Sequence, residues 1–593
     1  MLKFLKSNLF FFLLLTTIVF SLYGKSINFD FTNHDDASLI VNNINYLSQW
    51  KNIPSLFTTS VYISKNYFYY RPVLTLSFSI ESILFYKNTK IYHFTNIILF
   101  VLSLYLMYVF LLKLKTKETI SKILVLLASA HPILTSCVVW IPARNDTLLA
   151  VFVFLSFIFF IKYLENNEIK NLVLYVLFFT IALFTKESAI FLIFLYVLFM
   201  YCFDYKLDKK EIIKNIVVFL CIFIIYFYLR LVSVNIVKMN EHIIYFKDYF
   251  DNTIYGYAYF IYKIFNFLNI PIMADASSIN KFLYLISYIF SILILCVMYR
   301  KKIISFKISF FCFIWFVLWL LPTFLFLKNN YLLLFHRILI PLFVVIFVSC
   351  KLLEKIYLKY KKLFVIVYSL LFGILCFNSS LQANKYSTPE LYIEHSKKYA
   401  WSSPIVQNIM MQEYVYKKDY DKALEIAKQL IEKYPYFTSA KLGMAQIFYE
   451  QKKFEEAEKL YIDIALKAKE EDRYICYRDL SKIYYEQNKL DRALFYGQQA
   501  HKLRPYNTNA QENLAIIYAK IGYYKNAIYI LSDLLSFDKK NVQYMYNLGL
   551  LYEASGNLDK AIEYAKYAVR EEPYNDGYKQ YLKLLEDKKN EKR

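Results

Sequence analysis

Two adjacent carboxylates, Asp35 and Asp36, stand just past the first apolar segment of a chain that keeps returning to the membrane. A carboxylate pair beside a bilayer surface suits a catalyst that removes a proton from an incoming hydroxyl. A solvated turn uses the same residue types, because Asp and Asn are common turn formers. The charged residues further along favour chemistry. Arg71, His131, Arg144, Asp146, Lys186, Glu187, Arg230, Asp275, His336 and Arg337 all fall in or beside loops assigned to the same side as the pair. Ionisable groups at membrane depth are costly unless paired or hydrated, so each is a functional candidate. Structural readings stand beside this one. His131 before Pro132 reads as a break in a span, and Arg144 with Asp146 as a loop ion pair. Lys186 with Glu187 reads as an interfacial anchor, and Arg230 as a snorkelling helix end. Taken together, the set describes an electropositive pocket with a carboxylate beside it. Such a pocket suits a substrate with a lipid tail and a phosphate head.

The elements that must position these residues follow from composition. The chain has 593 residues, of which 58% are hydrophobic and 20% aromatic, with 9 glycines. Up to about residue 380, apolar runs recur at bilayer-crossing length. Expected spans lie near 5–23, 91–112, 119–138, 147–163, 171–185, 188–203, 212–231, 281–299, 305–326, 334–350 and 361–378, about eleven in all. The basic loops 113–117, 204–214, 299–302 and 351–362 all share one side if the N-terminus is cytoplasmic, as the positive-inside rule requires. The first loop, 24–90, and the C-terminal part are then outside. The stretches 71–86 and 255–270 are read as amphipathic helices on the outer membrane face. The net charge of +23 is spent on topology, so no nucleic-acid partner is indicated. The 8 cysteines form no Cys-x-x-Cys or Cys/His cluster, which leaves neither a disulfide framework nor a zinc site.

After a linker at 381–403, the chain repeats from 404 to 575. Small-residue positions at Met411, Ala445, Ser481, Ala515 and Gly549 are separated by 34, 36, 34 and 34 residues. Tyr414, Phe448, Tyr484, Tyr518 and Tyr552 follow each at a fixed offset, then Ala423, Ala457, Ala493, Ala527 and Ala561. This is tetratricopeptide spacing: small residues let paired helices approach, large ones fill the gap, and Pro435, Pro505 and Pro573 close repeats. Five repeats and a basic capping helix at 576–593 are expected, with a concave surface for an extended polypeptide or a partner protein. The fold class is therefore all-α: a polytopic membrane domain at 1–380 and a soluble α-solenoid.

The order of motifs resembles a family, the transmembrane and tetratricopeptide-repeat O-mannosyltransferases, which have the GT-C fold. The resemblance rests on Asp35-Asp36 with Ile40 and Asn43, Leu56-Phe57-Thr58, Tyr70-Arg71-Pro72 and Tyr92-His93-Phe94-Thr95-Asn96. It continues through His131-Pro132, Arg144-Asn145-Asp146, Lys186-Glu187, Tyr228-Leu229-Arg230, Pro271, Asp275, Arg337 and Pro341. The family has Glu before the last Arg, where this chain has His336.

The resemblance implies a polyprenyl-phosphate sugar donor, mannose above others, and a Ser or Thr hydroxyl of an exported protein as acceptor. Asp35 or Asp36 is the base, and mutual repulsion is expected to raise a carboxylate pKa. Arg71, Arg144, Lys186, Arg230 and Arg337 are the donor-phosphate candidates, supported by Asp146, Glu187, His131, Asp275 and His336. Asp35, Asp36 and Asp146 are the ligand set if a divalent cation, Mg or Mn, takes part. The setting implied is a multi-pass protein of a bacterial inner membrane, with the repeats in the periplasm or a lumen. Two other readings remain: a transferase of the same fold acting on a glycan or lipid, and a non-catalytic membrane-anchored scaffold.

Overall fold

The computed structural model describes every residue except Met1, Asn33, 64–68, 235–245, 276–285, 287–288, 290–291, 294–297, 326–331, Ser402, Tyr436, 468–469 and 592–593. The protein is helical almost throughout. Among the described residues the strand content is one two-residue antiparallel pair, Ala274–Asp275 with Leu332–Leu333. The chain divides into two compact units. One comprises Met1–Leu39, Pro54–Phe78 and Asn88–Gln407; the other comprises Ile40–Ile53, Ser79–Lys87 and Asn408–Arg593.

In the first unit, six helices among the described residues are long and apolar enough to cross a bilayer: Asn8–Asn28, Thr89–Lys113, Ile141–Asn166, Lys209–Ser233, Phe306–Phe324 and Lys361–Asn384. A seventh is a bent pair, Glu118–Ser129 with Pro132–Val139, turned by 59° at the break. His131 sits in that break. Its Nδ1 accepts from the Ile133 amide at 3.1 Å, and its Nε2 lies 2.9 Å from the Ile264 carbonyl. The break before Pro132 is thus capped by the imidazole, which is the structural reading of this residue. The stretches 171–185 and 188–203 form shorter helices, Ile169–Thr185 and Phe191–Cys202. The expected span at 281–299 falls largely outside the described residues. The stretches 71–86 and 255–270 contribute the helices Pro72–Phe85 and Phe246–Phe265. Between helices the packing is aromatic: Phe110 stacks on Phe343 at 4.4 Å, and Trp315 lies 5.2 Å from Phe343 and 5.1 Å from Phe157. Lipid offers no hydrophobic gradient between helices, so close packing of this kind holds them together.

Two expected boundaries change. Residues 381–403, expected as a linker, are largely helical. Lys361–Asn384 runs into them, and Pro389–Ala400 is a helix whose N-terminus is capped by the Thr388 hydroxyl, 3.3 Å from the Leu391 amide. Tyr386, Tyr392 and Ala400 are buried, so the segment packs as part of the first unit. The first loop is also not one body, because 40–53 and 79–87 pack within the second unit. Sequence periodicity does not reveal this, since both segments are short and lack a repeat.

The second unit contains the five expected helix pairs, from Pro404–Tyr416 to Leu558–Glu571, and a final helix Asp576–Glu591. The two-residue insertion is absorbed by a longer helix, Glu470–Glu486, of 17 residues where Thr438–Glu450 has 13. Ala423, Ala445, Ala457, Ala493, Ala527 and Ala561 are all fully buried, as close helix pairing demands. At Gly549 a side chain would meet the Tyr581 ring at 3.2 Å and the Ala561 carbonyl at 3.5 Å. The final helix therefore docks because position 549 is bare. Gly549→Leu is expected to destabilise the last repeat by about 1–3 kcal/mol, the usual effect of overpacking. Limited proteolysis of the whole protein in detergent should then release residues beyond 576 earlier than in wild type.

Candidate active site

Asp35 and Asp36 open a short helix, Asp35–Leu39, and their side chains part company there. Asp36 is buried and fully engaged. Its carboxylate accepts from the Thr32 amide at 2.6 Å, the His34 amide at 3.0 Å, the Ala37 amide at 3.1 Å and the Thr32 hydroxyl at 3.0 Å. The Trp140 indole donates to the same Thr32 hydroxyl at 3.3 Å. Asp36 therefore ties the turn. Burial raises its pKa, against the lowering effect of these hydrogen bonds.

Asp35 is the open member, with its side chain 41% exposed. It lines a cavity of about 250 Å³ with Tyr69, Arg71, Trp140, Lys186, His336 and Arg337. His34 Nδ1 stands 3.1 Å from its Oδ1. Burial works upward on the Asp35 carboxyl, but His34, His336 and Arg337 outweigh it and hold the pKa below the ordinary value. The same contact raises His34 against its own burial. The expected elevation of one carboxylate by the other is not a leading cause at either residue. The rise at Asp36 comes first from burial, and Asp35 is lowered first by its contact with His34.

The polar wall is built by cross-pairing. Lys186 and Glu187 are adjacent in sequence, but each turns to a different partner. Lys186 Nζ donates to both oxygens of Asp146, at 2.8 and 2.9 Å. Glu187 takes a two-pronged contact from Arg71, at 3.0 Å from Nε and 2.6 Å from Nη2. Arg71 also lies over the Tyr69 ring, at 4.4 Å. His336 Nε2 stands 3.5 Å from Asp146 and its ring 5.3 Å from Trp140. Lys186 has an extended backbone at the end of the Ile169–Thr185 helix, and this aims the two side chains apart.

Arg71, Asp146, Lys186, Glu187 and Arg337 also line a neighbouring cavity of about 120 Å³ with Trp319, Pro322, Thr323 and Pro341. Among these cavity-lining cations, Arg71 and Lys186 are consumed in ion pairs. Arg337 has none among the described residues, and its buried Nε has no hydrogen-bond partner there. What remains is one carboxylate, Asp35, and one guanidinium, Arg337, facing the same cavity.

Residues 64–230 match the family model described as dolichyl-phosphate-mannose-protein mannosyltransferase. The chain carries a domain of that family. Tetratricopeptide-repeat models match 414–475 and 542–575. Among curated proteins, the BBSome complex member BBS4 of Bos taurus is 28% identical over 95 residues, which are 16% of this chain and 18% of that protein. The uncharacterized protein RP472 of Rickettsia prowazekii (strain Madrid E) is 28% identical over 116 residues, 19% of this chain and 35% of that one. The chain thus spans about a fifth and a third of the length of these relatives. Among solved structures, YrrB, a TPR protein with an unusual peptide-binding site, is 18% identical with a TM-score of 0.26, covering 32% of this chain and 97% of that one. A tetratricopeptide repeat protein from Parabacteroides merdae ATCC 43184 is 19% identical with a TM-score of 0.27, covering 31% of this chain and 72% of that one.

Besides His131, three sequence-derived candidates stand away from the cavities. Arg144 is fully buried; its guanidinium donates to Asn96 Oδ1 at 2.7 Å and the Tyr92 carbonyl at 2.8 Å, and packs over Phe78 at 4.6 Å. Asn96 in turn donates to the Trp140 carbonyl at 3.2 Å. Arg144 is therefore a brace for the Trp140 loop, neither a cavity-lining cation nor the partner of Asp146. Arg230 ends the Lys209–Ser233 helix, with Nη1 3.3 Å from the Tyr226 hydroxyl, and lines neither cavity. Asp275 lies in the two-residue strand and is likewise absent from both linings. With His336 where the sequence pattern has Glu, Arg337 has no ion pair among the described residues, and His336 Nε2 stands 3.5 Å from Asp146 instead.

The pattern left out three residues. His34 is marked only by adjacency to the pair. Tyr392 comes from the segment read as linker, 6.0 Å from the His34 ring. Tyr69 is marked only by adjacency to the Tyr70-Arg71-Pro72 motif. Among the described residues no group of three His, Cys, Asp or Glu has metal-ligand geometry. Asp36 faces amides and Asp146 faces Lys186, so the trio Asp35, Asp36 and Asp146 does not fit a divalent ion.

Breaking the buried Lys186–Asp146 pair from either side leaves an uncompensated charge. Asp146→Asn or Lys186→Met is expected to lose about 3–5 kcal/mol of stability. The double variant should recover much of the loss, measured as folded yield and melting temperature in detergent.

Proposed function

We propose that the protein is a membrane glycosyltransferase of the GT-C type that moves a sugar, mannose first among them, from a polyprenyl phosphate to a hydroxyl of an exported polypeptide. The observation that carries this reading is the pair of groups facing one cavity: Asp35, with an open face, for a proton, and Arg337, without an ion pair among the described residues, for a phosphate. The matched mannosyltransferase domain supports the donor class. The repeats support a polypeptide acceptor, held by the array on the outer face. The basic loops support an outer, periplasmic or lumenal, position for the first loop.

The chemistry is a single displacement at the anomeric carbon. The acceptor oxygen forms the new C1–O bond while Asp35 takes its proton. The C1–O bond to the lipid phosphate breaks, and the negative charge passes to the leaving phosphate. Arg337 meets that charge with preset donors, in a cavity where water competes poorly. The paired Arg71 and Lys186 shape the wall and add field without being free to leave their carboxylates. The donor's tail has a place to lie. The Leu339–Lys359 helix presents Pro341 to the polar cavity and, about one turn on, Val344 and Val348 to an apolar groove. That groove, of about 250 Å³, is walled by Tyr257, Ile261, Phe313 and Phe316.

The test supplies purified protein in lipid with labelled polyprenyl-phosphate mannose and a pool of exported polypeptides. Wild type should label protein. Asp35→Asn should lower turnover by about 10²–10⁴-fold, the usual worth of a positioned base. Label confined to lipid or glycan would replace the acceptor, and no label with any lipid-linked sugar would leave a scaffold.

The pH dependence follows from Asp35. Its lowered pKa keeps it ionised until the pH falls below the ordinary carboxylate range, and there transfer is lost. His34→Gln removes a cation that lowers this pKa, so the acid limb of the kcat profile should move to higher pH. An unmoved limb would take Asp35 out of the base role.

A further inference from the structure

The segment that directly follows the Asp35–Leu39 helix packs as a part of the repeat unit. Asn45 is its centre and is 1% exposed. Its amide nitrogen donates to the Thr508 hydroxyl at 3.1 Å and to Gln511 Oε1 at 3.4 Å. Its oxygen accepts from the Tyr86 hydroxyl at 3.1 Å. Around it, Asn507 Nδ2 donates to the Asn42 carbonyl at 3.2 Å, and the Tyr46 and Tyr506 rings meet edge to face at 4.9 Å. Ser79 donates to the Leu47 carbonyl at 2.7 Å, and Asn52 to the Tyr46 carbonyl at 2.9 Å. The two loop pieces, 40–53 and 79–87, thus hold each other and the fourth repeat together. Asn507 also caps the Thr508–Ile521 helix, so repeat geometry and loop anchorage share one side chain.

Buried amides engaged at both ends set a register tightly, because any slip strands a donor or an acceptor without water. Ile40, the first residue of the anchored segment, is covalently next to Leu39, the last of the carboxylate helix. We propose that the fourth repeat takes residues 40–53 and 79–87 as an internal ligand, and that Asn45 is a positioning residue for the Asp35–Asp36 turn. This rests on the transferase reading for its consequence, though not for its geometry. The array then has a role besides holding acceptors: it fixes the downstream end of the helix that carries the base. Asn45 touches no substrate and acts through the five residues 40–44 that separate it from that helix.

Hydrogen exchange on the full chain in detergent tests this without requiring turnover. The amides of Thr32, His34 and Ala37, which donate to Asp36, report the turn. Gln511→Ala, Asn507→Ala and Asn45→Ala should each speed exchange across 32–37 by about threefold to tenfold, the scale of one buried hydrogen bond. Thr508→Val should do the same, and Thr508→Ser, which keeps the hydroxyl, should match wild type. Exchange within 542–571 serves as the fold control, and a variant that alters it is replaced by Thr508→Val. Single-turnover transfer to a short Ser/Thr peptide should fall in kcat with KM unchanged. Wild-type exchange at 32–37 in both Asn45→Ala and Gln511→Ala would overturn the proposal. So would a change in KM alone, which would make the array an acceptor clamp only. Altered exchange in a wild-type background that transfers no sugar would uphold the coupling and overturn the transferase reading.

Discussion

The wall of the cavity depends on the cross-pairing of four charges, the buried Lys186 with Asp146 and the half-buried Arg71 with Glu187. Charges taken out of water carry a desolvation penalty of several kcal/mol each, recovered only with close partners of good geometry. Two such pairs bind the Pro72–Phe85 helix start, the Ile141–Asn166 helix and the turn at Lys186 into one wall. They also neutralise themselves. This leaves the field in the cavity to the residues outside the pairs.

The adjacent aspartates show how position alone divides a role. Asp36 spends every oxygen on the turn, and Trp140, braced through Asn96 and Arg144, holds Thr32 from behind. Asp35, one residue earlier, keeps an open face and takes its electrostatics from His34, His336 and Arg337. In the proposed transfer a base needs both parts: a free oxygen and a backbone that does not move beneath it. The repeat array enters the same argument, since its fourth repeat anchors the chain immediately downstream.

The array was the most legible part of the sequence. A solenoid repeats its contacts, so Ala493, Ala527 and Ala561 declare themselves by spacing. Even the insertion was visible as one step of 36 residues. The membrane helices were legible as apolar runs, and His131 before Pro132 marked the bent span. The helix at Pro389–Ala400 was not. Its apolar face is short and mixed, and a 12-residue helix without a repeat looks like a connector. The loop pieces 40–53 and 79–87 were missed because their partners lie more than 400 residues away.

Residue type and order by themselves determined the all-α class, the membrane and repeat parts, and the set of ionisable residues from which a site could be drawn. They are local properties: hydropathy, helical period and charge are written into consecutive residues. Tertiary structure alone decided which of these side chains meet. Neighbours in sequence, Lys186 with Glu187 and Asp35 with Asp36, point to different partners. Arg144, Arg230 and Asp275 carry the right motifs but stand away from the cavities, and Arg337 is the cation left over. Pairing among buried charges is a choice among distant partners, made by desolvation and geometry, and no local pattern encodes it.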